Sequence, residues 1–160
     1  MKIRLKINGK DFAPHIYPSM ILLDLLRDLG FKSVKRGCGT ANCGLCTVIM
    51  DSRSVLSCSV PAARADGKEI YTLEGFQDKA AEIAEFLADE GADQCGFCAP
   101  GFVMNVIALE MENPSPTERE IDEYLVGNLC RCTGYMSQHR AMARYFAHKN
   151  KRGVNYEICK

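Results

Sequence analysis

Eight of the nine cysteines in this 160-residue chain fall into two sets, and their spacing says what they can do. Cys38, Cys43 and Cys46 follow a Cys-x4-Cys-x2-Cys pattern, and Cys58 comes after eleven intervening residues. That is plant-type spacing for a [2Fe-2S] cluster. Glycines at 37, 39 and 44 suit it, because a loop wrapping sulfur needs positive φ and unobstructed amide hydrogens. Cys58 arrives sooner than the fourth ligand of free plant-type ferredoxins, so proximity between neighbouring strands must place it.

The second set is Cys95-x2-Cys98 with Cys130-x1-Cys132. Each pair stands just before a segment that reads as a helix. Four thiolates on two ferric ions and two sulfides leave a formal charge of about -2, which favours amide donors and the positive ends of helix dipoles. Zinc is the competing use of four thiols. The one-residue gap between Cys130 and Cys132 matches no common zinc spacing, and a disulfide framework is disfavoured by the reducing compartment argued below.

The elements that must position these thiols can be read from hydrophobic period. Lys2 to Ile7 alternates, Asn8-Gly9 turns the chain, and Phe12 to Ile16 returns it, which predicts a hairpin. Met20 to Leu29 carries five leucines on a broad face, with Gly30 past the end, and predicts a helix over that hairpin. Thr47–Met50 and Arg53–Cys58 predict two strands around Asp51-Ser52, and Glu69–Leu73 another. From Asp78 the pattern turns helical: Ala80, Ile83, Ala84 and Leu87 form a stripe ended by Gly91. A nearly all-apolar helix follows over Phe102–Met111, with Pro100 in its first turn, and Asn113-Pro114-Ser115-Pro116 breaks it. Thr117-x-x-Glu120 is a capping box for a short helix through Leu125. Tyr135–His148 predicts the last helix, with Thr133 as its cap.

The fold class expected is therefore α+β. A mixed sheet occupies residues 1–76, a helical domain 77–150 and a polar tail 151–160, with the boundary between Gly75 and Asp78.

Balanced counts of 20 basic and 20 acidic residues argue against a nucleic-acid or membrane surface. Between Asp78 and Glu123 the charges are nearly all acidic, which reads as solvated helix faces or as a docking surface for a basic partner. No apolar run suggests export or a membrane span, so nine cysteines point to the cytoplasm and to metal binding.

Both cysteine sets, Gln94-Cys95-Gly96-Phe97-Cys98 and Gly127-Asn128-Leu129-Cys130-Arg131-Cys132-Thr133-Gly134-Tyr135 together resemble the small iron-sulfur subunit of the molybdenum hydroxylases, the xanthine dehydrogenase and aldehyde oxidoreductase family. The resemblance covers residues 2 to 148. It implies an N-terminal ferredoxin-like β-grasp domain and a C-terminal four-helix bundle, each with one [2Fe-2S] cluster. It also implies a large molybdopterin-binding subunit, which Gln94 and Cys132 would contact at the pterin, and a medium FAD-binding subunit near the plant-type cluster. The assembly would be a dimer of heterotrimers, hydroxylating an N-heterocycle such as xanthine, or an aldehyde. Ala41 departs from the family, where glycine is usual, as do Leu45, Ala99 and Gln138. None of these removes a ligand.

A structural zinc module acting as an adaptor and an iron-sulfur redox sensor are the rival readings. His15, His139 and His148 share no spacing with the thiols and read as solvated or packed. Arg131 either softens cluster charge or forms a surface ion pair. Gln94 has a plainer reading as a polar cap on the helix start, the methionines read as core, and Cys159 reads as a spare tail thiol.

Overall fold

Residues 1–152 are described by the structure, a computed structural model. Cys159 and the end of the tail lie outside the described residues.

The chain begins with β1 (Leu5–Ile7) and β2 (Lys10–Phe12), joined through Asn8 at φ 50° and Gly9 at φ 76°. Two left-handed residues in succession make the turn whose twist matches a hairpin. β2 ends earlier than the period suggests because Pro14 has no amide to continue the ladder; pairing resumes only as an isolated bridge between Lys2 and His15. α1 (Leu22–Asp28) follows, and Gly30 at φ 100° lies past its end as expected.

β3 (Thr47–Met50) and β4 (Arg53–Leu56) form a second two-residue hairpin through Asp51 and Ser52, both at positive φ. Cys58, expected on the second strand, sits instead in a 3-10 turn, Ser57–Ser59. With β5 (Glu69–Tyr71) the sheet order is β2-β1-β5-β3-β4, and β1 runs parallel to β5 while the other pairs are antiparallel.

Alternation sends neighbouring side chains of β3 to opposite faces. Val48 joins Leu5, Ile7 and Ile70 under Leu22, Leu23, Leu25 and Leu26 of α1. Each buried leucine there contributes about 1.5–3 kcal/mol. Ile49 points the other way, into a second core built by helices.

Those helices are α2 (Gln77–Asp89), α3 (Ala99–Glu112), α4 (Glu118–Leu125) and α5 (Met136–Arg152). α3 lies against β3 and β4 and is buried almost all round, α2 packs on α5, and α4 touches both α3 and α5. The Thr117–Glu120 capping box forms in both directions. No described helix is long and apolar enough to cross a membrane.

Sequence reading missed one buried feature. Glu110 of α3 is 7% exposed, and its carboxylate accepts from Tyr145 Oη at 2.7 Å and from Lys79 Nζ at 2.7 Å, with Lys149 Nζ at 3.4 Å. Lys149 is buried in this network, so α5 continues past His148 to Arg152. The acidic bias is answered internally as well: Glu90 pairs with Arg140 and Arg144 of α5.

Candidate iron-sulfur centres

The first thiol nest is made by one loop and one turn. Cys38, Cys43 and Cys46 lie on the loop entering β3, and the β3–β4 register brings Cys58 beside Cys46. The join is tight, since both the amide and the hydroxyl of Ser57 donate to the Cys46 carbonyl, at 3.3 and 2.7 Å. Cys38 sits by Cys43, and the amides of Thr40, Asn42 and Cys43 turn toward its sulfur. The Thr40 and Asn42 amides, with help from the Cys43 thiol, pull the Cys38 pKa down to about 6. Burial acts oppositely on Cys43, which is raised, and on Cys46, which is pushed up to about 11.

Aiming those amides has a conformational cost. Ala41 stands at φ 58°, where glycine would be unstrained. At Gly44, φ is 72° and an added Cβ would lie 2.6 Å from the Gly127 carbonyl oxygen.

The second nest is assembled from two remote segments. Cys95 and Cys98 precede α3, with Cys98 as its N-cap residue, and Cys130 and Cys132 lie between α4 and α5. Cys132 Sγ is 3.5 Å from Cys95 Sγ, while Cys98 lies beside Cys130. All four thiols line one cavity of about 90 Å³, together with Gln94, Phe102, Thr133 and Gln138. Burial, then the Cys130 thiol, pushes Cys98 up to about 11. Burial is also the largest influence on Cys130, but the Thr133 hydroxyl and the amides of Thr133 and Cys132 outweigh it and leave that thiol lowered. Cys132 is raised by its hydrogen bond to Cys95.

Several expectations change here. Thr133 does not cap α5: its hydroxyl oxygen accepts from the Tyr135 amide at 3.2 Å in a turn of its own, and α5 starts only at Met136. Tyr135 is not helical but stands at φ 71°, and its Oη accepts the Cys130 amide at 3.1 Å. Gln94 makes no cap hydrogen bond to α3 and lies exposed at the cavity rim. Arg131 is exposed, with no ion pair among the described residues. His139 pairs with Asp122 at 2.6 Å, and His148 packs by the Phe86 ring.

The two nests touch. The Leu129 amide donates to the Cys43 carbonyl at 2.9 Å. Asn128, 4% exposed, donates to the Gly44 carbonyl at 3.3 Å and accepts from Asn105 at 2.6 Å. Gly101 has no room for a side chain, because a Cβ there would meet the Gly44 oxygen and lie 2.7 Å from Leu45 Cα.

The donor chemistry suits binuclear iron. The eight sulfurs come as neighbouring pairs, Cys38 with Cys43, Cys46 with Cys58, Cys95 with Cys132 and Cys98 with Cys130. Each iron of a [2Fe-2S] cluster takes two thiolates and two sulfides, whereas a zinc ion draws four ligands to one point. Among the described residues, no three His, Cys, Asp or Glu side chains converge on a single-ion site.

Comparison with known proteins agrees. Residues 5–73 match the model of the 2Fe-2S iron-sulfur cluster binding domain, and residues 72–143 that of the [2Fe-2S] binding domain. The chain is 43% identical to the nicotinate dehydrogenase small FeS subunit of Eubacterium barkeri over 88% of its length and 91% of the relative's. It is 46% identical to the xanthine dehydrogenase iron-sulfur-binding subunit of Escherichia coli O157:H7, over 83% and 86%. A chain of quinoline 2-oxidoreductase from Pseudomonas putida 86 superposes with a TM-score of 0.85 at 36% identity, covering 96% of this chain and 97% of that one. With two thiol nests, both domain matches and whole-length relatives in agreement, the chain belongs to the small iron-sulfur subunits of the molybdenum hydroxylases, the xanthine dehydrogenase and aldehyde oxidoreductase family.

Proposed function

We propose that this chain is the electron relay of a cytoplasmic molybdenum hydroxylase and has no substrate site of its own. Cys95, Cys98, Cys130 and Cys132 hold one [2Fe-2S] cluster, and Cys38, Cys43, Cys46 and Cys58 hold the other. Bound there, the clusters supply one-electron capacity. The chain's own residues fix their ligation, surroundings and spacing.

In this reading the exposed rim of the helical nest meets a larger subunit, where the Gln94 amide and the Cys132 sulfur contact the pterin of molybdopterin. Hydroxylating the substrate, with water supplying the inserted oxygen, would release two electrons and two protons. With clusters bound, the helical nest and the loop nest would hand these electrons on singly, toward FAD in a medium subunit and then NAD or another acceptor. The assembly is a dimer of heterotrimers. An N-heterocycle is favoured as substrate because the relatives above are named for nicotinate, xanthine and quinoline.

The observation that carries this reading is the cavity lined by four paired thiols, joined to the second nest through the Leu129 to Cys43 hydrogen bond. The test is analysis of the purified complex. About four iron and four sulfide per chain are expected from two clusters; a colourless, zinc-containing chain refutes the reading. Cys132→Ala should stop electron delivery from the molybdenum side, whereas Cys43→Ala should spare the first reduction and block reduction of the flavin. Equal loss of both steps in both variants, with the complex intact, overturns the order.

A further inference from the structure

The helical nest holds a buried side chain that ligation does not use. Gln138, in the first turn of α5, is 6% exposed. Burying a carboxamide is unfavourable unless its polar atoms are met, and here they are met by the nest itself. Oε1 lies 3.3 Å from the Thr133 hydroxyl, and Nε2 points toward Cys98 Sγ at 4.0 Å. The same Thr133 hydroxyl is 3.2 Å from Cys130 Sγ. Cys98 and Cys130 form the inward pair of thiols, away from the exposed Cys95 and Cys132.

We propose that Gln138 and Thr133 act as an uncharged donor pair that raises the reduction potential of the helical iron-sulfur centre. The inference rests on the ligation set out under Proposed function and goes beyond it. When one electron arrives from the molybdenum side, it adds negative charge that spreads onto the sulfurs. Donors already aimed at those sulfurs stabilise the reduced form more than the oxidised form. No bond is made or broken, and no proton moves, because both donors are neutral. The hydroxyl has a single proton, and Cys130 Sγ at 3.2 Å and Gln138 Oε1 at 3.3 Å are both within its reach as acceptors. The loop nest works differently, since the leading donors to Cys38 are the Thr40 and Asn42 amides, which no side-chain replacement removes. The gap in potential between the two centres is therefore set in part by two replaceable side chains, and both are positioning residues.

The experiment is a mediated redox titration of the complete enzyme, followed by electron paramagnetic resonance. Wild type is compared with Gln138→Met, which keeps the volume and loses the amide, and with Thr133→Val. The helical centre is identified as the signal altered in Cys98→Ser. Both variants should lower the midpoint of that centre and leave the other where it was. Thr133→Val also removes the acceptor of the Tyr135 amide, so Gln138→Met, which spares that turn, is decisive. Two intact signals with an unmoved helical midpoint in Gln138→Met overturn the inference alone. Fewer than two iron-sulfur signals in the wild type overturn the functional reading together with it.

Discussion

The two thiol nests reach similar chemistry by different routes. The loop nest draws its four cysteines from the loop entering a single hairpin and the turn leaving it, and backbone amides lead in stabilising charge on Cys38. The helical nest takes its cysteines from segments 35 residues apart, brought together only when α5 packs on α2 and α4 and α4 packs on α3, and it recruits the hydroxyls of Thr133 and Tyr135 and the amide of Gln138. The loop nest is thus the more local device, leaning on the main chain at Cys38, and the helical nest a tertiary one that adds side-chain donors to the amides of Thr133 and Cys132. Surface substitution should spare the first, while loss of helix packing should dismantle the second.

The strongest way to break that contrast is at the contact the nests share. In Gly101→Ala the new methyl must push back the Gly44 carbonyl and Leu45 Cα, both backbone. Overpacking of this kind costs about 3 kcal/mol, a fall of roughly 6–12 °C in Tm for a chain of this size. Both centres should lose iron together, as metal analysis would show. Loss from the helical nest alone would mean that the nests are mechanically independent. Next in size is Asn128→Ala, which strips a partner from Asn105 and the Gly44 carbonyl. Unmet buried groups cost about 1–3 kcal/mol, read by thermal or denaturant unfolding, and the iron content of the helical nest should fall first.

Much of this arrangement was legible beforehand, for identifiable reasons. Asn8-Gly9 and the Thr117–Glu120 box are local signals, and local geometry honours them. Proximity between strands is the sequence argument for Cys58, and it does lie beside Cys46, but on a 3-10 turn past β4 that no local signal marks. The buried Glu110 was illegible because a glutamate on an apolar helix looks the same whether or not a lysine from another helix meets it. Tyr135 shows another limit: its hydrophobic spacing suits a helix, but the hydrogen bond from the Cys130 amide holds it at positive φ. The acidic stretch was ambiguous for the same reason, since its partners Arg140 and Arg144 lie some 50 residues away on α5.

The loop nest can be probed without touching the helical one. Glu74 accepts from the Ser33 amide at 2.9 Å and from the hydroxyls of Ser33 and Thr72 at 2.6 Å each, tethering the segment that leads into the cysteine loop. Burial raises its pKa, but these donors outweigh it and leave the group below its ordinary 4.5. A depressed carboxylate contributes stability that is fully present above the unfolded pKa and lost as pH falls through the folded one. Because Glu74 is only partly withdrawn from water, solvent screening keeps that contribution under about 1 kcal/mol. Glu74→Gln should therefore lower stability at pH 7 and narrow its gap to wild type below pH 4.5, as paired melts would show. A gap that stays constant down to pH 3 would contradict the assignment.

The smallest effect expected is a gain. Ala41 stands at φ 58°, and its two flanking residues, Thr40 and Asn42, supply the amides that turn toward Cys38. Holding an alanine in the left-handed region costs about 1–2 kcal/mol, while glycine's greater freedom in the unfolded chain takes back roughly 0.5–1. Taking the middle of each range, Ala41→Gly should thus stabilise the chain by about 0.75 kcal/mol, seen as a rise of about 2–3 °C in Tm. If the loop nest is a main-chain device, the amides keep their aim, and in the metal-free chain Cys38 should still be alkylated with a midpoint near pH 6. Stabilisation accompanied by an upward move of that midpoint would show that the alanine methyl, and not the backbone path alone, holds the loop around its sulfur.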